Sequence, residues 1–382
     1  MIVLQVIPAL EGGGAQLSVL ETVAAIAASG GTALVASGGG RMVPGIAAAG
    51  GRHIRLKLET RNPLAIWRNA ARLEALVRAE RADLVHAHSR AVAWSALLAA
   101  RRAGVPFVTT WHGAYGENFP FKRRYNAVMA AGDRVVAVSR FIAAMIEARH
   151  GLAPPRLRVV PPGVDPARFD PRAVAPARTA GLARAWGIPK GRLVGRPIVM
   201  LPGRLARWKG QGVLLGAMAR MAERAAVGVF VGPVEGRERY VAELKARAAG
   251  LGVADRVIFA GGADDMPAAF ALADIVVNAS TEPEAFGRVV IEAQAMERPV
   301  IVADHGAAPE TVEEGKTGWR VPPGHEAALA AALDRVLALT PPARAATGAA
   351  AREAVIRSYS LSAMEEAMIA VYRELISTGE GR

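Results

Sequence analysis

Met1-Ile2-Val3-Leu4-Gln5-Val6-Ile7, then Glu11-Gly12-Gly13-Gly14 and the alanine-rich run 15–28, read as a buried strand, a glycine turn and a helix. The same unit recurs along the chain: a strand-length apolar run, then a longer stretch with helical spacing. That alternation predicts an α/β protein whose strands lie in doubly wound parallel sheets. Strands are expected at 2–7, 32–36, 84–86, 107–110, 135–138 and 157–160, and again at 198–201, 228–231, 257–259, 275–278 and 300–302. Met1 to Leu10 carry no basic n-region and run directly into the glycine turn, so they read as a first strand rather than a secretory leader.

Between the two runs lies a proline- and arginine-rich stretch, 161–197, and we place a domain boundary near Arg172. The expected organisation is a first domain over 1–172, a second over 173–357 and a terminal helix within 358–382. That helix would open on a capping box of Ser362 and Glu365 and continue through Met368, Val371, Tyr372 and Leu375 back towards the first domain. Ligands of open α/β sheets bind beyond the carboxyl ends of the strands, so a cleft between two such domains is the expected site.

The chain has 382 residues, 52% hydrophobic and 21% charged, enough for two cored domains and far from a disordered composition. It has no cysteine, which excludes a disulfide scaffold, thiolate metal sites and a cysteine nucleophile. The longest uncharged helical stretch, 91–100, is shorter than the roughly 20 residues a membrane span needs. A cytoplasmic protein is expected. Net charge is +13, unevenly spread: residues 1–172 carry 22 Lys and Arg against 11 Asp and Glu, the remainder 25 against 23. Such a field suits anionic partners, although arginine-rich compositional drift would produce it too.

Three clusters can carry chemistry. Gly12, Gly13 and Gly14 end the first strand at a helix start, where backbone amides can meet a phosphate. Leu17 stands where a dinucleotide fingerprint would want its third glycine, so a plain tight turn is the alternative. Arg204 and Lys209 follow the first strand of the second half and could share a diphosphate's charge, or could be solvated loop residues. The third cluster is Ser280-Thr281-Glu282-Pro283-Glu284-Ala285-Phe286-Gly287-Arg288-Val289-Val290-Ile291-Glu292-Ala293. Eight helical residues rise about 12 Å, so Glu284 and Glu292 are expected to face two parts of one elongated ligand, with the amides of Phe286, Gly287 and Arg288 near a phosphate between them. Spacing alone is more usual for two solvated charges.

Together these clusters resemble the retaining glycosyltransferases of family 4, which have the GT-B fold, two Rossmann-like domains facing a cleft. Glu284 to Glu292 is similar to the family's E-x7-E motif. The resemblance extends through Asp83-Leu84-Val85-His86-Ala87-His88-Ser89, Thr110-Trp111-His112-Gly113, Val136-Ala137-Val138-Ser139, Pro162-Gly163-Val164-Asp165 and Glu310 to Gly318, covering nearly the whole chain in order. It implies that Glu284 binds the donor sugar and Glu292 the nucleotide ribose. Arg204 and Lys209 would hold the diphosphate with Gly13 and Gly14 nearby, and His112 would sit beside donor sugar and acceptor. Gln16, Pro162, Ala307 and Glu297 depart from the family pattern; at Glu297 a glycine is usual.

His86 and His88 could face one metal, but no further ligand cluster accompanies them; Asp264-Asp265 lacks a D-x-D spacing, so no metal is expected. Gly315-Lys316-Thr317 reads as a turn rather than a P-loop. Phe119-Pro120-Phe121-Lys122-Arg123-Arg124 combines aromatics with positive charge and suits an anionic membrane surface, or is an ordinary helix start with buried aromatics. The expected activity is retaining, metal-independent hexosyl transfer without a cofactor. The donor is a nucleotide diphosphate sugar, GDP-mannose favoured over UDP-sugars, and the acceptor a lipopolysaccharide, lipid-linked or polysaccharide chain at the inner face of the cytoplasmic membrane. A sugar-nucleotide epimerase and a noncatalytic sugar-nucleotide-binding protein are the alternatives. Nucleic acid is not expected, since no base-stacking motif accompanies the charge.

Overall fold

The structure, a computed structural model, describes residues 1–117, 120–188 and 196–377. The chain forms two compact units, Met1–Gly163 with Leu361–Arg382, and Val164–Ser360.

The first unit holds seven parallel strands: β1 (Ile2–Val6), β2 (Thr32–Ser37), β3 (Arg52–Arg55), β4 (Leu84–Ala87), β5 (Phe107–Trp111), β6 (Arg134–Ala137) and β7 (Leu157–Val159), in the order β3-β2-β1-β4-β5-β6-β7. Strand order reverses between β1 and β4, where Gln5 pairs in register with His86. The inner strands are mostly apolar because a wound parallel sheet is covered on both faces, with Gln5, His86, Thr109 and Thr110 as buried polar exceptions. Serines start the helices that leave β4 and β6: Ser89 accepts from the amide of Ala91 and Ser139 from that of Ile142.

The last helix, Leu361–Ser377, completes this unit's core, with Met364, Met368, Ile369, Val371, Tyr372 and Leu375 packed among Val3, Val23, Ile26, Val108 and Val136. Glu374 fastens it to the sheet through Arg134 (3.1 Å) and Arg158 (2.8 Å). The helix begins at Leu361, so Ser362 lies in its first turn rather than ahead of it, contrary to the expected capping box.

The second unit is a six-stranded parallel sheet of β8 (Ile198–Pro202), β9 (Val227–Val231), β10 (Val257–Gly261), β11 (Ile275–Asn278), β12 (Val300–Ala303) and β13 (Trp319–Val321), ordered β10-β9-β8-β11-β12-β13. Its reversal lies between β8 and β11. The expected boundary near Arg172 falls inside this unit. The amide of Val164 donates to the carbonyl of Tyr359 (2.8 Å), and Arg352 donates to the carbonyls of Phe169 and Pro166, so 164–170 is bound to the helix Pro341–Tyr359. At the other end the units divide after Ser360, not after Arg357.

Two strands, β3 and β13, escape the sequence reading. Both are edge strands, and Arg52-His53-Ile54-Arg55 and Trp319-Arg320-Val321 are short and interrupted by charge.

Candidate active site

In the second unit the chain leaves β8 through Gly203 and returns through a single turn, Arg207–Lys209, to the helix Gln211–Arg220. Gly210 sits at φ 76°, and a Cβ there would lie 1.8 Å from the carbonyl oxygen of Ala279, so only glycine lets this loop settle against the exit of β11. The amide of Thr281 donates to the carbonyl of Trp208 (2.7 Å), fastening the two loops.

That packing brings Lys209 Nζ to 2.7 Å from Glu284 Oε1, with the two side chains only 17% and 14% exposed. Ser280 Oγ also meets Glu284 Oε1, and Asn278 Oδ1 accepts from the same hydroxyl at 2.9 Å. The turn after β12 grips Glu284 from behind. Ala307 N donates to its carbonyl (3.1 Å), and Gly306 lies so close that a Cβ would approach the backbone of Glu284 within 2.5 Å. His305 Nε2 donates to the carbonyl of Ser280 (2.7 Å). Three strand ends therefore converge on one residue, two of them on its carboxylate and the third on its backbone.

Gly287, at φ 85°, then turns the chain into the helix Arg288–Ala295. Glu284 thus lies in the turn and not on the helix, and the helical rise expected between it and Glu292 does not apply; the left-handed glycine breaks the register. Glu292 is buried one turn in, 3.8 Å from Arg288 Nε, and Phe286 packs edge-on against Tyr359. The helix start presents its amides and the positive end of its dipole. Arg204 is exposed on the same loop as Lys209, its carbonyl accepting from Gln211 Nε2 (3.0 Å).

The first unit gathers neutral groups at its own strand reversal. His86 is wholly buried, Nδ1 facing Tyr372 Oη (2.7 Å) and Nε2 facing Thr110 Oγ1 (2.8 Å). Burial, then the nearby His112, pushes its pKa down to about 3. His88 has Nε2 at 2.9 Å from Gln5 Oε1 and Nδ1 at 3.1 Å from Nε2 of the half-buried His112. Burial first, then His86 and His112, holds its pKa well below the usual range. Gly13 caps the helix Gly14–Ala28 at φ 126°, at the end of the loop that connects β1 to this helix.

Among the described residues no group of three or more His, Cys, Asp or Glu side chains could hold a metal ion. Asp265 instead caps Ala268 and pairs with Arg178 (2.7 Å), and Thr317 Oγ1 accepts from Glu313 N within a turn. Phe119 lies outside the described residues. Phe121 is exposed, not a buried helix-start aromatic. Arg123 and Arg149, which line an open hollow of about 580 Å³, turn onto the carbonyls of Arg149 and Tyr115, so part of the basic excess serves a helix end and a loop. No helix among the described residues is long and apolar enough to cross a membrane.

Residues 12–168 match the family model Glycosyltransferase Family 4, and residues 196–338 match Glycosyl transferases group 1. A glycosyltransferase of Rickettsia africae ESF-5, known from its crystal structure, is 31% identical with a TM-score of 0.89 over 98% of each chain. The chain belongs to glycosyltransferase family 4. The two parallel-sheet units of this family 4 chain are those of the GT-B fold. It is 36% identical to the D-inositol 3-phosphate glycosyltransferase of Salinispora arenicola, over 70% of this chain and 63% of that one. It is 34% identical to the GDP-mannose-dependent alpha-(1-6)-phosphatidylinositol monomannoside mannosyltransferase of Mycolicibacterium smegmatis, over 58% and 56%. The match thus spans about six tenths of the length of these curated relatives.

Of the residues singled out by sequence, the second unit brings Lys209, Glu284, Phe286, Gly287, Arg288 and Glu292 to one strand reversal. His112, Gly13 and Gly14 belong to the first unit. Ser280 as a partner of Glu284, and His305, Gly306, Gln5 and Tyr372, were not foreseen. His305 and Gly306 had one available signal, their place in the turn after the strand that neighbours β11.

Proposed function

We propose that this family 4 chain is a retaining glycosyltransferase that moves a hexosyl unit from a nucleotide diphosphate sugar to a glycan or lipid-linked acceptor. The carrying observation is the Lys209–Glu284 pair at the β8/β11 reversal beside the amide-presenting start of the helix Arg288–Ala295. An ammonium offers three protons and Glu284 takes one, leaving donors for a diphosphate, while the carboxylate keeps lone pairs for sugar hydroxyls. Arg204 adds a planar cation on the same loop, Glu292 is the proposed ribose acceptor, and Gly13 and Gly14 are proposed donor contacts.

In the proposed step the acceptor oxygen bonds to the anomeric carbon on the face from which the diphosphate leaves. The anomeric carbon–oxygen bond to the diphosphate breaks, and the acceptor's proton passes to a departing phosphate oxygen. Charge building on the leaving group is met by Lys209 and Arg204, so neither a protein base nor a metal is needed. His112 is the proposed contact to the transferring sugar. Full turnover in EDTA is the expected result for a metal-independent enzyme, and dependence on an added divalent cation would refute it.

GDP-mannose is the proposed donor, supported by the name of the Mycolicibacterium relative. Nucleotide sugars screened by thermal shift should give the largest stabilisation with GDP-mannose, reduced in Lys209→Ala. No stabilisation by any nucleotide sugar would remove the proposal. Chromatography of the product with and without acceptor separates transfer from epimerisation or binding alone.

The inositol phosphate and phosphatidylinositol named for the two relatives support a phosphorylated or lipid-linked acceptor. The first unit's surface supports docking at an anionic membrane, at the cytoplasmic face. Leu64, Trp67 and Phe121 are 70%, 58% and 84% exposed. Their helices are joined through Ser95 to the carbonyl of Ile66 (3.2 Å) and Trp94 to that of Tyr125 (3.2 Å), with Arg61, Arg68, Lys122 and Arg124 along the same segments. In vesicle flotation, Phe121→Ser with Lys122, Arg123 and Arg124 replaced by Gln should lose anionic-lipid binding; unchanged flotation would reject the docking surface.

A further inference from the structure

We propose that His88 is a positioning residue for His112: held by Gln5, it fixes the orientation of the His112 ring and keeps the ring's proton on Nε2. The inference rests on the reading above for the importance of His112, but its geometry lies wholly within the first unit.

Gln5 presents its amide oxygen to His88 Nε2 at 2.9 Å. A carbonyl-type oxygen only accepts, so His88 carries its proton on Nε2. His88 is 3% exposed and neutral, which leaves Nδ1 as a bare acceptor. The atom 3.1 Å from it is His112 Nε2, which must then be the donor. A neutral His112 so fixed carries no proton on Nδ1, and that nitrogen accepts hydrogen bonds from hydroxyl groups rather than donating them.

Two observations set this chain apart from ordinary core hydrogen bonding. Gln5 is fully buried and, among the described residues, its amide nitrogen has no partner, so an unsatisfied donor is tolerated while the oxygen stays on His88. His86, whose ring lies 4.0 Å from that of His88, is held instead by the hydroxyls of Tyr372 and Thr110. A hydroxyl donates or accepts as required and selects neither tautomer. The amide oxygen of Gln5 does select, and the selection runs outward to the half-buried ring, which stacks on His88 at 5.4 Å.

The test is nitrogen NMR of the full chain labelled with 15N-histidine at neutral pH, with His112 assigned from its loss in His112→Asn. The expected wild-type spectrum has His112 protonated on Nε2 and unprotonated on Nδ1. In His88→Leu the ring should populate both tautomers and turnover should fall about 10- to 100-fold with donor KM changed much less. His88→Asn, which retains a polar atom near the former Nδ1, should recover most of both signals. A wild-type His112 protonated on Nδ1 overturns the proposal, and so does a His88→Leu protein with wild-type tautomer and turnover. If His88→Leu does not fold, the wild-type tautomer and the His88→Asn protein decide. Full activity of His112→Asn alongside the expected wild-type tautomer would instead remove His112 from the reaction and leave the positioning geometry standing.

Discussion

The two units place polar groups at the same topological position, the strand reversal of a wound sheet, and equip it in opposite ways. Between β1 and β4 the groups are neutral and buried: Gln5, His86 and His88, with Thr110 and Tyr372 beside them. Between β8 and β11 they are an ion pair that keeps 17% and 14% of its side-chain surface in solvent. Burial penalises a charge far more than a hydrogen-bonded neutral ring. The first reversal is therefore suited to holding a geometry, and the second to meeting a charged ligand.

The sharpest way to break that contrast is Lys209→Ala. If the pair exists to meet phosphate charge, turnover should fall by about 10²- to 10³-fold, as for loss of one transition-state donor, while calorimetry shows a melting temperature lowered by only a few degrees. Near-normal kinetics would place Lys209 among ordinary surface ion pairs.

Acid should act on the first unit. His86 binds its proton at pH 6.5 unfolded but only at about 3 folded, so between those values the unfolded chain holds more protons. Stability is complete above pH 6.5 and is lost as pH falls towards 3, on the order of 4 kcal/mol from this ring alone. His88, Thr110 and Tyr372 surround the ring, with His112 acting on it from farther out. Hydrogen exchange at pH 7 and pH 5 should show amides of β1, β4 and β5 losing protection first, and a pH-independent pattern would contradict the neutral assignment.

Tyr372→Phe removes one hydroxyl from the same network and leaves a buried ring nitrogen unpartnered. A loss of about 1 to 3 kcal/mol is expected from urea titration, with donor binding by the second unit unchanged. The smallest effect concerns Glu297, a non-glycine residue at φ 56°. Glu297→Gly should stabilise the second unit by about 1 kcal/mol, since the strain relieved exceeds the long contact to Arg172 at 3.9 Å. A lower melting temperature in this variant would show the ion pair to be the stronger term.

The inner strands of both sheets were legible because covering on both faces demands mostly apolar, uncharged runs, whereas β3 and β13, each with one open edge, tolerate charge and escape notice. Glu284 and Lys209 stood out through their motifs, yet their contact depends on Gly210 fitting beneath Ala279, a constraint visible only in three dimensions. From the neighbouring strand end His305 reaches Ser280 and Gly306 lies against Glu284, and Tyr372 reaches His86 across 286 residues of sequence. No local spacing encodes such partners. The expected two-turn separation of Glu284 and Glu292 failed at one residue, Gly287, whose left-handed backbone ends the turn before the helix begins.

Because the helix Leu361–Ser377 belongs to the first unit, Val164–Ser360 is in effect an insert within it. On the ribosome the seven early strands must wait while the whole insert is made, roughly 10 to 40 s at ordinary elongation rates. Throughout that interval the trough that will receive Met368, Tyr372 and Leu375 stays open, so the unit translated first is the last to be sealed.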